Sequence, residues 1–175
     1  MFKWTLDGNL GCALGKTEMR VVFISAMLLT MIGAAVAGPV EDKLAAKAAF
    51  SRGDTATALE LYRRAAEQGD ADAAHELGHI YFRGMGVPHD DTEAAKWFLR
   101  AAELGDAIAQ RNIGSAYRFG QGVPKNEVQA LVWFNLAVAH GYQRAARDRD
   151  ALAQGMTPAQ VAEAQKLTDE WKPKR

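Results

Sequence analysis

The densest concentration of chemistry-bearing side chains in this 175-residue sequence is His75-Glu76-Leu77-Gly78-His79. Two imidazoles one helical turn apart can chelate zinc, and a glutamate between them can activate a zinc-bound water. The first reading of these residues is therefore a small hydrolytic zinc centre. A second group of residues suggests binding instead. Lys43, Lys47, His75, His79, Arg83, Arg111 and Arg118 are interleaved with Phe50, Phe82 and Phe119. Cations beside aromatic rings suit an acidic or carboxylate-terminated peptide, held by charge-assisted hydrogen bonds and anchored by its apolar side chains.

The elements that must position both groups repeat. Leu77-Gly78-x-x-Tyr81-x-x-Gly84-x-Gly86-Val87-Pro88 returns 36 residues later as Ile113-Gly114-x-x-Tyr117-x-x-Gly120-x-Gly122-Val123-Pro124. The following stretch, with Ala94, Trp97, Phe98, Ala101, Ala102 and Gly105, returns as Ala130, Trp133, Phe134, Ala137, Val138 and Gly141. A weaker copy lies upstream, from Ala58 and Tyr62 to Gly69. A fixed period of this size predicts a solenoid of stacked helix pairs, and such stacks build binding surfaces. In each copy Ala73, Ala74, Leu77, Gly78 and Tyr81, or their equivalents, form one stripe of a first helix. Gly84 supplies a left-handed end, Pro88 prevents the helix resuming, and Asp91 or Thr92 caps the second helix. Repeats are expected at about 40–70, 71–106 and 107–142, with capping helices and a frayed tail over 143–175. Thr157-Pro158-Ala159-Gln160 is a strong helix start.

Register between the copies weighs against the zinc reading. Leu77 and Gly78 are repeat positions, whereas His75, Glu76 and His79 fall on variable slots where the next copy has Arg111, Asn112 and Ser115. The extended zinc pattern needs glycine and histidine where Phe82 and Met85 stand. Glu93 and Glu103 lie on the second helix, with no reason to converge on the pair. The expectation is a protein that is not an enzyme and carries no metal or other cofactor. His75 and His79 should project opposite the packing stripe, where Lys43, Lys47, Phe82, Arg83, Arg111, Arg118 and Phe119 would join them. If they contribute charge, peptide affinity should rise as pH falls through about 6.5. Trp97, Trp133, Tyr81 and Tyr117, with Phe98 and Phe134, recur at helix-packing spacing and are assigned to the core rather than to a sugar-stacking site. The Gly84-x-Gly86 and Gly120-x-Gly122 pairs follow helices, not strands, so phosphate cradling has no support.

Lys and Arg total 21, as do Asp and Glu, so bulk charge gives no support for nucleic-acid or membrane-surface binding. Arg20 precedes an uncharged apolar run, Val21 to Val36, and Ala35-Val36-Ala37 offers the small-x-small pattern of a signal peptidase site. The expectation is a signal peptide over 19–37, cleaved after Ala37, preceded by an extension at 1–18 from a mis-assigned start, with Met19 the initiator. Retention as a membrane anchor is the alternative. The sole cysteine, Cys12, precedes that run, so the mature chain carries no thiol. Periplasmic or secreted localisation follows.

The pattern from Ala73 and Leu77-Gly78 through Tyr81, Gly84, Gly86-Val87, Asp90, Ala94, Trp97 and Ala101-Ala102 to Gly105 resembles the Sel1-like repeat. That repeat is a tetratricopeptide variant with a longer glycine-containing loop. The third repeat matches with Asn126 in place of the aspartate, while Ala48-Ala49-Phe50-x-x-Gly53-Asp54 looks more like a plain tetratricopeptide turn. The Met156–Gln165 segment is similar to the tails of small exported Sel1-repeat proteins of proteobacteria. The resemblance covers about residues 40 to 172. It implies an all-α, right-handed α-α solenoid with a C-terminal helical cap, whose first helices line a concave groove. It implies a scaffold or adaptor role toward a protein or peptide partner, often at the cell envelope.

Overall fold

Eight α-helices make up most of residues 38–174, the part of the chain that the computed structural model describes. The expected extension at 1–18, the leader at 19–37 and Cys12 lie outside the described residues, as does Arg175. The helices are α1 (Pro39–Ser51), α2 (Thr55–Glu67), α3 (Ala71–Arg83), α4 (Asp91–Glu103), α5 (Ala107–Phe119), α6 (Glu127–Ala139), α7 (Ala145–Ala153) and α8 (Pro158–Glu170). No strand occurs among the described residues. No helix among them is long and apolar enough to cross a membrane. The helices pair as α1–α2, α3–α4 and α5–α6, each pair stacking on the next, and both α7 and α8 pack on α6. The architecture is an all-α helical repeat solenoid.

Each start is written into the sequence at the repeat spacing. The side chains of Asp54, Asp90 and Asn126 accept backbone N–H bonds at the heads of α2, α4 and α6, and those of Asp70 and Asp106 do so for α3 and α5. Each such cap is worth about 1 kcal/mol. Asp90, not Asp91 or Thr92, caps α4, accepting from Thr92 and Glu93 at 2.9 and 3.0 Å. Asp91 and Thr92 already lie inside the first turn. The head of α8 carries the expected capping box, Thr157 with Gln160.

Alanine and glycine let the helices nest. A Cβ on Gly78 would stand 2.5 Å from the Phe98 ring, and one on Gly114 would stand 2.8 Å from the Phe134 ring. α3 therefore rests on the Phe98 ring and α5 on that of Phe134. The glycine loops dock backward onto the preceding pair: a Cβ on Gly86 would meet the Thr55 side chain at 2.6 Å, and one on Gly122 the Asp91 carbonyl oxygen at 1.9 Å. Trp97, Phe98, Trp133 and Phe134 are buried, as expected of core residues, with Tyr81 and Tyr117 half-buried against them. α6 is apolar on every side because α5, α7 and α8 all cover it.

Polar groups tie the stack where alanine cannot. Gln110, fully buried, donates to the Ala102 carbonyl at 3.1 Å and meets His140 Nδ1 at 2.9 Å. Asp42, also buried, is held by the Arg64 guanidinium, whose hydrogen bonds keep its carboxyl below the usual range. The tail is not frayed up to Lys174. Trp171 packs on Trp133 and His140, and the Lys174 N–H donates to the Glu103 carbonyl at 2.8 Å. Those contacts join residues 31 to 71 positions apart, so local composition gives no sign of them.

Candidate functional site

The helix that carries the histidine pair is held by its Asp70 cap at one end and by Gly84, at φ 64°, at the other. Because Gly78 lets α3 settle on Phe98, His75 and His79 sit over that ring, with centroids 5.9 and 5.2 Å away. Both are half-buried, not projecting away from the packing side. The expectation of freely exposed histidines is thus corrected: a wheel drawn for the α3–α4 contact omits α5, which closes the other flank.

The two imidazoles engage each other, Nε2 to Nε2, at 3.0 Å, and Asn112 Nδ2 lies 3.3 Å from the same His75 nitrogen. If His79 Nε2 and the Asn112 amide both donate, His75 accepts at Nε2 and carries its proton on Nδ1. Nδ1 of His79 is buried without a hydrogen-bond partner. Burial, then the positive charge of His75 and Arg83, pushes the His79 pKa down to about 4. Near neutrality it is an uncharged, largely apolar wall. A proposed gain in affinity through pH 6.5 cannot come from His79. As ligands, the pair supplies two nitrogens. Among the described residues no group of three or more His, Cys, Asp or Glu side chains converges as a metal would require, and Glu76 is exposed.

What the stacking does create is a cleft of about 110 Å³ between α3, α4 and α5. His79 and Phe82 line one side, Ala94, Ala95 and Phe98 the floor, and Arg111, Asn112, Ser115 and Ala116 the other side, with Asp91 and Gln121 at the ends. The structure therefore brings together His79, Phe82 and Arg111 from the sequence expectation, with Ser115 beside them. His75 adjoins through His79 and Asn112.

The other expected residues lie apart from the cleft. Arg83 is exposed at the end of α3. Arg118 places its guanidinium 5.2 Å from the Phe119 ring, beside a second hollow lined also by Lys125, Glu127, Ala151, Leu152 and Gly155. Phe82 and Phe119 are 42% and 64% exposed. Lys47 is exposed on α1, while Phe50 packs against the core. Two cations are already neutralised: Lys43 bonds to Asp70 at 2.9 Å and Asp72 at 2.8 Å, and Arg111 Nε bonds to Asp148 at 2.8 Å. Sequence reading missed Asn112, Ala95 and Ala116. Asn112 shares its register with Glu76, and the two alanines look like ordinary packing residues until aligned with their equivalents.

Comparisons with known proteins agree with this geometry. The Sel1 repeat model matches residues 50–70, 71–106 and 107–142. The chain is similar to the solved structure of c5321, a protective antigen of uropathogenic Escherichia coli with an SLR fold. The TM-score is 0.70 at 25% identity over 94% of this chain and 34% of that one. A Sel1 repeat protein from Oxalobacter formigenes aligns at 31% identity and TM-score 0.61, over 65% of this chain and 34% of that one. Cysteine rich protein B of Helicobacter pylori shares the fold at 22% identity and TM-score 0.55, over 75% of this chain and 96% of that one. The chain spans about a third of the length of the first two. No curated protein matches the sequence. With three repeats matched over more than half of its length, the chain belongs to the Sel1 repeat family, whose fold is generally a scaffold for protein–protein interaction.

Proposed function

We propose that this protein is an exported, non-catalytic scaffold that holds a protein or peptide partner along the face carried by α3 and α5. The observation that carries the reading is the placement of Phe82 and Phe119. Both rings stand exposed at the ends of helices whose tyrosines, Tyr81 and Tyr117, are half-buried, and Phe82 opens directly onto the cleft. Aromatic side chains with arginines beside them are the residues that most often anchor interfaces. Arg83 and Arg118 flank these rings and favour a partner with acidic residues near its apolar anchors. The internal pairing of Lys43 and Arg111 reduces that preference to a local one. Export rests on the apolar run Val21 to Val36 and the Ala35-Val36-Ala37 site.

The reading is tested by expressing the full chain in a Gram-negative host and recovering it from the periplasm, where its N-terminus should be Gly38. Partners captured by the wild type should be lost when Phe82 and Phe119 are both changed to serine. Capture of the same proteins in the same amounts by the double variant would contradict it.

A further inference from the structure

The cleft has an origin that the repeat makes legible. Ala95, on the cleft floor, takes the position that Leu59 holds one repeat earlier and Leu131 one repeat later. Leu59 packs against the core and Leu131 is buried. Ala116, on the cleft wall, takes the position held one repeat earlier by Ile80, also buried. Two branched side chains of the repeat pattern are thus cut back to methyl groups at the same junction. Close-packed interiors do not leave such volume unfilled without a loss of stability.

We propose that the hollow between α3, α4 and α5 is a receptor for one aliphatic or aromatic side chain, of leucine, methionine or phenylalanine size, from the partner's polypeptide. The proposal rests on the scaffold reading and specifies what that scaffold grips. The volume is of the right scale: about 110 Å³ is available, somewhat below the ~150 Å³ of a closed apolar cavity that takes up a whole benzene ring, and the hollow is open on one side, so a side chain need not be wholly enclosed. Chemistry supports it as well. The floor is Ala94, Ala95 and Phe98, with Phe82 and Ala116 beside it, and the one cation of the lining, Arg111, is satisfied by Asp148. Arg111 is thus occupied against an anionic side chain, and the carboxylate of the lining, Asp91, lies at the end of the hollow, 3.2 Å from His89 Nε2. Asn112, Ser115 and Gln121 offer uncharged donors and acceptors at the margin, suited to the backbone on either side of an inserted residue.

The test uses methyl-labelled exported protein and three small probes followed by NMR: N-acetyl-leucine methylamide, N-acetyl-phenylalanine methylamide and N-acetyl-aspartate methylamide. The first two should shift the methyls of Ala94, Ala95 and Ala116 saturably, and the aspartate probe should not. Ala95→Leu installs the residue that both flanking repeats carry; it should weaken leucine-probe binding at least tenfold while raising the unfolding temperature. Ala116→Ile should act the same way and gives a second variant should the first fold poorly. Absence of saturable shifts, equal shifts with the aspartate probe, or binding unchanged in both variants would overturn the pocket. Should the probes fail while the Phe82→Ser, Phe119→Ser pair still costs partner capture, the pocket is overturned and the scaffold reading stands.

Discussion

In the repeat at 71–106 a glycine rests on Phe98, and in the repeat at 107–142 a glycine rests on Phe134. Both first helices end on a left-handed glycine, and both second helices begin on a capping side chain. The filling between these fixed points differs. Where the earlier repeat has His75, His79, Phe82 and Ala95, the later one has Arg111, Ser115, Arg118 and Leu131. The later repeat is closed by α7 and α8 on its outer side, with Arg111 bonded to Asp148 of α7. The earlier one meets only another repeat, and there the cleft opens. Frame positions thus carry stability, and the slots between them are the ones we propose for recognition.

The comparison breaks most easily at the frame. The two loop glycines share a left-handed φ, at 75° and 68°, but Gly86 faces a threonine side chain while Gly122 faces the backbone of α4. Gly122→Ala must displace that backbone as well as strain its own, and should cost about 3–4 kcal/mol. Gly86→Ala meets the Thr55 side chain, whose hydroxyl and methyl can rotate but whose Cβ, at 2.9 Å, cannot, and should cost about 2 kcal/mol. Urea denaturation of the two variants measures the difference; equal costs would show that the loops are not docked as described.

A smaller effect separates the histidine-bearing repeat from its neighbour. His79 is held neutral down to about pH 4 in the folded protein, whereas an unfolded histidine protonates near 6.5. Between those values the unfolded chain binds the extra proton, so stability falls as pH drops from about 6.5 toward 4. Allowing for the half exposure of the ring, the loss should be about 1–2 kcal/mol. His79→Asn should flatten the profile over that window. Serine occupies the equivalent position in the next repeat, so no matching contribution arises there.

Much of this was legible in the sequence. The 36-residue period put Gly78 in a packing stripe, assigned Phe98 and Phe134 to the core, and located the left-handed helix ends and the buried tryptophans; that each glycine rests on one of those rings came from the structure. It also separated Leu77 and Gly78 from the histidines around them. What it could not supply were contacts between elements far apart in the chain. The pairing of Lys43 with Asp70 and Asp72, of Arg111 with Asp148, and of Lys174 with Glu103 joins residues 27 to 71 positions apart. The half-burial of His75 and His79 depends on Asn112 in the next repeat as much as on their own helix. The cleft was hidden for another reason: an alanine in a helical stripe reads as packing, and only its leucine equivalents before and after reveal missing volume.

Site-specific photo-crosslinking in the periplasm shows whether a partner docks on the face carried by α3 and α5. A photoreactive phenylalanine analogue replaces Phe82 or Phe119 in turn, and Arg100 and Glu67, exposed on the second helices, serve as comparison positions. The prediction is a shared crosslinked partner from Phe82 and Phe119, absent from Arg100 and Glu67. Crosslinks that form from Arg100 and Glu67 while Phe82 and Phe119 remain silent would contradict the account.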